Sequence, residues 1–312
     1  MRDDLPLLPT PKNIIFDWHG TLVDTQDAML AAMEEMLPQL EELGLIERLQ
    51  PESECKSPDD VKLVRYIRIF RTLHPKILAE RRVSRTEIFN AIFGKDTDAK
   101  DMAHRAYNKC YRNYYGKVKP FQDGIREYLS ALKRLELNVG IATNRSREFL
   151  LHELRTVDDG SWPRMIDFIT CADDLTLYKP DPQILRYALA QIDTYPRAET
   201  WYMGDSHLDM VTAKNAGVTA IFYNGGCWDE QELRASFASE PEHAPDAIIN
   251  SFDELMDLLQ ISQQNDPLAF AKIVEKARPP WFPPPEPPAP RIEPDWHPSV
   301  ARLTPPQLIL FD

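Results

Sequence analysis

Four short stretches of the chain carry side chains able to handle an anion and a metal ion. Asp17 closes the apolar run Asn13-Ile-Ile-Phe16 and is followed by Trp18-His19-Gly20-Thr21-Leu22-Val23-Asp24. A carboxylate just past a buried strand, followed by Gly-Thr, sits where α/β sheets hold their ligands. Taken alone, a turn or capping aspartate accounts for it as well. Ile141-Ala142-Thr143-Asn144-Arg145 puts a hydroxyl at the end of another strand, able to donate to an anionic oxygen. Its structural alternative is a helix N-cap. In Tyr178-Lys179-Pro180-Asp181-Pro182 an ammonium is held between rigid proline bonds ahead of a helix, although a surface lysine beside a helix-opening proline has the same pattern. Met203-Gly204-Asp205-Ser206-His207-Leu208-Asp209 offers two carboxylates four positions apart, hard oxygen ligands of the kind that suit Mg²⁺.

Such residues need a frame. Runs of strand length recur at 13–16, 138–142, 168–171, 200–203, 219–222 and 247–249. Helical patterns lie between the later ones: Ile125, Leu129 and Leu132 share a face, as do Leu185, Ala188, Leu189 and Ile192. Strands alternating with helices imply right-handed crossovers and a parallel sheet, so a doubly wound α/β core is expected. About 110 residues separate the first run from the second, where a crossover needs about a dozen or more. The insertion is helical in character, with Met29, Met33, Met36 and Leu40 on one face. Around residues 61–71, Lys62, Arg65, Arg68 and Arg71 spread over a broad charged face, for which ordinary solvation is the alternative explanation.

The 312 residues, 43% of them hydrophobic, are enough for one large domain or two. A mean hydropathy of −0.42 and the lack of a long apolar run argue against a membrane span. The acidic, proline-broken start lacks the basic and apolar stretches that secretion needs, so a cytoplasmic location is expected. Four dispersed cysteines (Cys55, Cys110, Cys171, Cys227) have none of the close spacing of zinc or redox motifs and are expected to be reduced, structural thiols. A net charge of −13 argues against nucleic acid as a partner. The charge is uneven: residues 56–119 hold sixteen Lys or Arg against seven Asp or Glu, a local +9 inside an acidic body. From Pro267 onward, 13 of the 27 prolines fall in 46 residues, together with Trp281, Phe282 and Trp296. That segment favours extended polyproline II, suited to wrapping the body or to docking on a protein partner.

In order, the four motifs closely resemble the haloacid dehalogenase-like hydrolase superfamily, whose pattern runs Asp-x-Asp-Gly-Thr, then Ser or Thr, then Lys, then Gly-Asp-x-x-x-Asp. The resemblance spans about residues 12–259. Pro120-Phe-Gln-Asp-Gly-Ile125 resembles the stretch that re-enters the core after a helical cap, and Ala213-Lys-Asn-Ala-Gly-Val218 resembles the helix after the last motif, with Gly217 suited to a left-handed C′ position. An insertion between motifs one and two is similar to the C1 cap of phosphoglycolate phosphatase-like members. The implied organisation is a Rossmann-like core from 1–24 and 120–260, a helical cap from 25–119 that closes over substrate and sets specificity, and a proline-rich extension from 261–312.

The resemblance implies an Mg²⁺-dependent phosphatase acting on a small anionic phosphate ester. Asp17 would be the nucleophile that forms an aspartyl-phosphate. Thr143 and Lys179, with Asn144, Gly20 and Thr21, would hold the phosphoryl group. Asp17, Asp205 and the backbone carbonyl of His19 would bind the metal, with Asp209 supporting it. The physical need is that an attacking carboxylate and a phosphate repel until their charges are neutralised. His19 departs from the pattern, which usually has an acid/base aspartate at that position. Three readings are open. The histidine can donate and recover a proton itself. The reaction can differ, as in dehalogenases, or in phosphonatases that use a cap lysine such as Lys62 or Lys76. Or the protein can be a weak catalyst that mainly binds an anion or a partner. The basic cap would draw in the anionic substrate.

Overall fold

The computed structural model describes residues 5–80, 84–192 and 199–262. Its strands are β1 (Asn13–Phe16), β2 (Val23–Asp24), β3 (Lys119–Pro120), β4 (Asn138–Ala142), β5 (Phe168–Thr170), β6 (Thr200–Gly204), β7 (Thr219–Tyr223) and β8 (Ala247–Ile249). Six of them form one parallel sheet in the order β5-β4-β1-β6-β7-β8. β1 is buried along its whole length, as a continuous apolar run requires of a parallel strand covered on both faces. Its alternate residues feed two cores. Ile14 and Phe16 join one, with α6 (Ile125–Arg134), α7 (Arg147–Thr156) and α11 (Phe252–Ser262). Ile15 joins the other, with α8 (Gln183–Ala190) and α9 (His207–Ala216). The same core receives Leu233 of α10 (Glu230–Ser236). This is the doubly wound α/β architecture that the alternating runs predict.

The chain leaves β1 toward β4 on one side and returns to β6 on the other, so the order reverses around β1. Open α/β sheets bind ligands at the carboxyl ends of strands beside such a switch point. Asp17 lies there, its N–H donating to the Met203 carbonyl at 2.8 Å. Thr143 follows β4 and Asp205 follows β6.

The described residues divide into two compact units, one containing 5–24 and 118–262, the other 25–117. In the first, β2 and β3 form a small antiparallel pair that the sequence pattern does not reveal. Val23 faces Pro120, Asp24 faces Lys119, and Lys119 Nζ reaches the Asp24 carboxylate at 3.2 Å.

The second unit is helical: α1 (Gln26–Met36), α2 (Pro58–Phe70), α3 (Pro75–Glu80), α4 (Arg85–Phe93) and α5 (Thr97–Tyr111). Met29, Met33, Met36 and Leu40 are all buried, as their spacing predicts. Ser57 caps α2 by accepting from the Asp60 N–H, with Pro58 at the first helical position. The basic face of α2 is largely engaged within its own unit. Arg65 makes a two-pronged pair with Glu52 (2.6 and 3.1 Å), Arg68 donates to the Leu49 carbonyl, Arg71 lies 3.8 Å from Glu41, and Lys62 lies 3.6 Å from Asp59. No described helix is long and apolar enough to cross a membrane. The proline-rich segment that was expected to wrap the body or meet a partner lies outside the described residues from 263 onward.

Candidate active site

The ammonium of Lys179 is the hub of the site. It is buried, not the surface lysine its neighbouring prolines also allow. Nζ donates to Asp17 Oδ1 at 2.6 Å, Asp209 Oδ1 at 2.7 Å and the Tyr202 hydroxyl at 3.0 Å. Burial opposes a charged amine, but Asp17 and Asp209 outweigh it and raise the pKa of Lys179 above its usual value. Asn144 places this lysine: its Oδ1 accepts from the Lys179 N–H at 2.9 Å, and its Nδ2 donates to the Lys179 carbonyl at 3.2 Å. The Asn144 amide, expected at the phosphate, is thus engaged with the backbone of another motif.

Asp209 serves both a helix start and the site. Ser206 and Asp209 form a capping box at the start of α9, with Asp209 N–H donating to Ser206 Oγ (3.3 Å) and Ser206 N–H donating to Asp209 Oδ2 (3.1 Å). The other carboxylate oxygen faces Lys179, and the Tyr202 hydroxyl lies within donating reach of it (2.9 Å) and of the Ala142 carbonyl (3.0 Å). Burial opposes ionisation of Asp209, yet Lys179 and these donors leave its pKa below the usual carboxylate value. Asp17 is shifted upward, mainly by burial, which Lys179 only partly offsets. Asp205 rises well above the carboxylate range because burial is reinforced by Asp209 and Asp17.

Three carboxylates therefore gather around one ammonium, and one oxygen from each of Asp17, Asp205 and Asp209 lies within 4.8 Å of the other two. If all three ionise, the site is two positive charges short. A hard divalent cation supplies that charge and prefers such oxygen donors, so this donor set fits Mg²⁺. Gly20 preserves the geometry. Its backbone is left-handed (φ +76°), and a Cβ there would stand 2.1 Å from Asp205 Oδ2. Thr21 is fully buried and its hydroxyl has no hydrogen-bond partner among the described residues.

Thr143 is buried, and its Oγ1 accepts from the Arg145 N–H at 3.3 Å. The helix that follows starts from Ser146, so Thr143 is not its N-cap. His19 is held in a tight turn, where Leu22 and Val23 N–H groups both donate to the Trp18 carbonyl at 3.0 Å. Its side chain is 38% exposed, yet Nε2 is shut off from solvent and lies 3.7 Å from Glu153 Oε2. Burial, and then the nearby Arg145 cation, lower the His19 pKa, with Glu153 and Asp17 opposing. Glu153 itself, fully buried on α7, titrates at about 2: burial would raise it, but Arg145 and His19 prevail.

Of the residues singled out in the sequence, Asp17, Lys179, Asp205 and Asp209 come together, while the Thr143 hydroxyl meets only the Arg145 N–H among the described contacts; Tyr202, Ser206, Arg145 and Glu153 were not anticipated. Ser206 had a readable signal, a Ser-x-x-Asp box at a helix start. Tyr202 had none, since one aromatic in a buried strand reads as core.

Residues 14–223 match the family model for haloacid dehalogenase-like hydrolases. A pyrophosphatase, PpaX, of Bacillus velezensis is 24% identical over 80% of this chain and 95% of its own length. A phosphoglycolate phosphatase of Salmonella choleraesuis is 24% identical over 82% of this chain and 95% of its own length. The hydrolase YfnB of Bacillus subtilis, in a crystal structure bound to magnesium, shares the fold with a TM-score of 0.52 at 20% identity, over 80% of this chain and 98% of that one. The ordered motifs, the sheet that gathers them and the match across residues 14–223 make this chain a member of the haloacid dehalogenase-like hydrolase family.

Proposed function

We infer that the protein is an Mg²⁺-dependent phosphatase that hydrolyses a small phosphate monoester through an aspartyl-phosphate on Asp17. The observation that carries this reading is the convergence of Asp17, Asp205 and Asp209 on one buried point beside the Lys179 ammonium. Relatives named as a phosphoglycolate phosphatase and a pyrophosphatase, each matched over most of its length, support phosphoryl chemistry.

Asp17, Asp205 and the His19 carbonyl would hold the metal, with Asp209 in support. When bound, Mg²⁺ supplies the charge neutralisation that lets a carboxylate approach a phosphate. The chain's own residues do the rest. An Asp17 oxygen bonds to phosphorus as the bond to the leaving oxygen breaks, and water then cleaves the acyl phosphate to regenerate the carboxylate. Lys179 and Thr143 hold the phosphoryl oxygens as their charge is redistributed. His19 stands where the family's acid/base residue is found, and its imidazole exchanges the proton. Dehalogenation is disfavoured because both aspartates of the fourth motif are brought to Asp17. Among phosphonatase candidates, Lys62 is already engaged by Asp59. The helical unit is assigned to substrate specificity as a C1-type cap. The free cysteines, with the Cys171 thiol pushed up to about 12 by burial, suit a reducing cytoplasm.

A panel of phosphate esters, phosphonates and halo-acids, each with Mg²⁺ or with EDTA, tests the assignment. Phosphate esters turned over only with Mg²⁺ is the expected result. Metal-independent release of halide, or turnover of phosphonates alone, would replace this reading.

A further inference from the structure

Beside the Asp17 cluster lies a second set of buried charges for which the chemistry above has no use. Glu153 on α7 is fully buried, and Arg145, just beyond the Thr143 motif, is nearly so. Glu153 Oε1 forms a tight ion pair with Arg145 Nη2, whose guanidinium also lies over the Phe149 ring at 5.0 Å. The other oxygen, Oε2, accepts from the Trp18 indole Nε1 at 2.8 Å. A buried ion pair is a poor way to gain stability, since desolvation consumes most of the Coulombic gain. Apolar side chains would fill the same space at no such cost.

The position of the carboxylate suggests what it does. Trp18 and His19 are consecutive in the turn after β1, and the oxygen that holds the indole is also 3.7 Å from His19 Nε2. Nε2 is closed to solvent, has no hydrogen-bond partner among the described residues and lies 3.7 Å from Glu153 Oε2, so the ring turns its Nε2 edge toward the carboxylate without bonding to it. Three fixed points thus aim one carboxylate at the imidazole: the Arg145 guanidinium, the Trp18 indole and the α7 backbone.

We propose that Glu153 is a positioning residue for His19: its carboxylate, held by Arg145 and Trp18, fixes the ring through its Nε2 edge. This assignment rests on the phosphatase reading for its catalytic meaning, and on the geometry alone for the orientation of the ring. A histidine oriented by a buried acid replaces the usual aspartate here.

The test is a double-mutant cycle on full-length protein, with p-nitrophenyl phosphate and Mg²⁺, combined with ¹⁵N-histidine NMR. Glu153→Gln should lower kcat by about 10- to 100-fold, the range for removing a group that orients a functional histidine, with KM little changed. In a His19→Ala background the same change should cost nothing further. The His19 ring signals, identified by their loss in His19→Ala, should shift in Glu153→Gln. Should Glu153→Gln fail to fold, Glu153→Asp keeps the charge for Arg145 while withdrawing the carboxylate from the ring, and the same shifts are expected. An equal loss of kcat in both backgrounds, or an unmoved His19 spectrum, would overturn the proposal. Inactivity of the wild type toward phosphate esters, with the His19 spectrum still dependent on Glu153, would instead reject the phosphatase reading and leave the positioning role standing.

Discussion

Asp17 and Lys179 meet at 2.6 Å, so the candidate nucleophile rests against the cation assigned to hold its substrate. An ion pair this deeply buried is stabilising only while both members are charged and bonded. Asp17→Asn keeps the shape and removes the carboxylate proposed as both nucleophile and metal ligand. Turnover of phosphate esters should fall to background while circular dichroism stays native; wild-type turnover would mean the chemistry lies elsewhere. His19→Asp restores the acid usual in the family. If the natural protein is a weakened phosphatase, kcat with Mg²⁺ rises. Because the Glu153 carboxylate, itself held by Trp18, faces the imidazole edge, we expect a loss instead, within the 10²- to 10⁴-fold attributed to a general acid/base. Steady-state kinetics with one ester decide the sign.

At the scale of elements, α9 begins where the site does. Ser206→Ala removes its N-cap, a loss of about 1 kcal/mol, and also frees Asp209 Oδ2 from the Ser206 hydroxyl. The melting temperature should drop by about 2–4 °C for a chain of this size, and kcat should fall with it, because one side chain serves both helix and site. A drop in stability with unchanged kcat would separate the two roles. Much of this level was legible in the sequence. The strand runs at 138–142 and 247–249 are the observed strands, and Gly217 occupies the left-handed C′ position after α9 (φ +73°). These features are local: apolar periodicity, a carboxylate after a strand, a glycine after a helix. What stayed hidden is what unites distant segments. Asn144 bonding to the Lys179 backbone, Tyr202 reaching from mid-strand to Asp209, and Glu153 meeting the turn at Trp18 are contacts between residues tens of positions apart or more, or between types that read as core or cap. The two-residue strands β2 and β3 are too short for any period to show.

For the whole molecule, charge and protonation set the conditions under which it works. The α2 arginines pair with Glu52 and Glu41 of residues 25–55, which hold eight Asp or Glu against one Arg, so the helical unit as a whole is nearly neutral and any pull on an approaching anion is local to the face of residues 61–71. Replacing Arg65, Arg68 and Arg71 with glutamine should raise KM for a phosphorylated substrate at low salt, with the difference shrinking as salt screens it. An unchanged KM at low salt would argue against steering. Protonation acts on the helical unit through His104 on α5, which burial and the Arg85 cation lower from 6.5 to about 4. A histidine with a depressed folded pKa contributes stability that is complete above pH 6.5, erodes as pH falls toward 4, and is lost below it. Solvent screening limits the effect to about 1–2 kcal/mol. Urea midpoints measured between pH 7 and pH 4 should fall more for the wild type than for His104→Gln, and parallel curves would show that His104 is not responsible.

The pairing of β2 with β3 brings the exit at Asp24 and the return at Lys119 to neighbouring positions on adjacent strands. Strands so joined lie about 5 Å apart, so everything between them is attached to the sheet as if at a single point. A helical module of another length or composition can be spliced at that point without altering the register of the six-stranded sheet. The sheet that carries the candidate site and the helical part proposed to choose the substrate are therefore free to diversify separately.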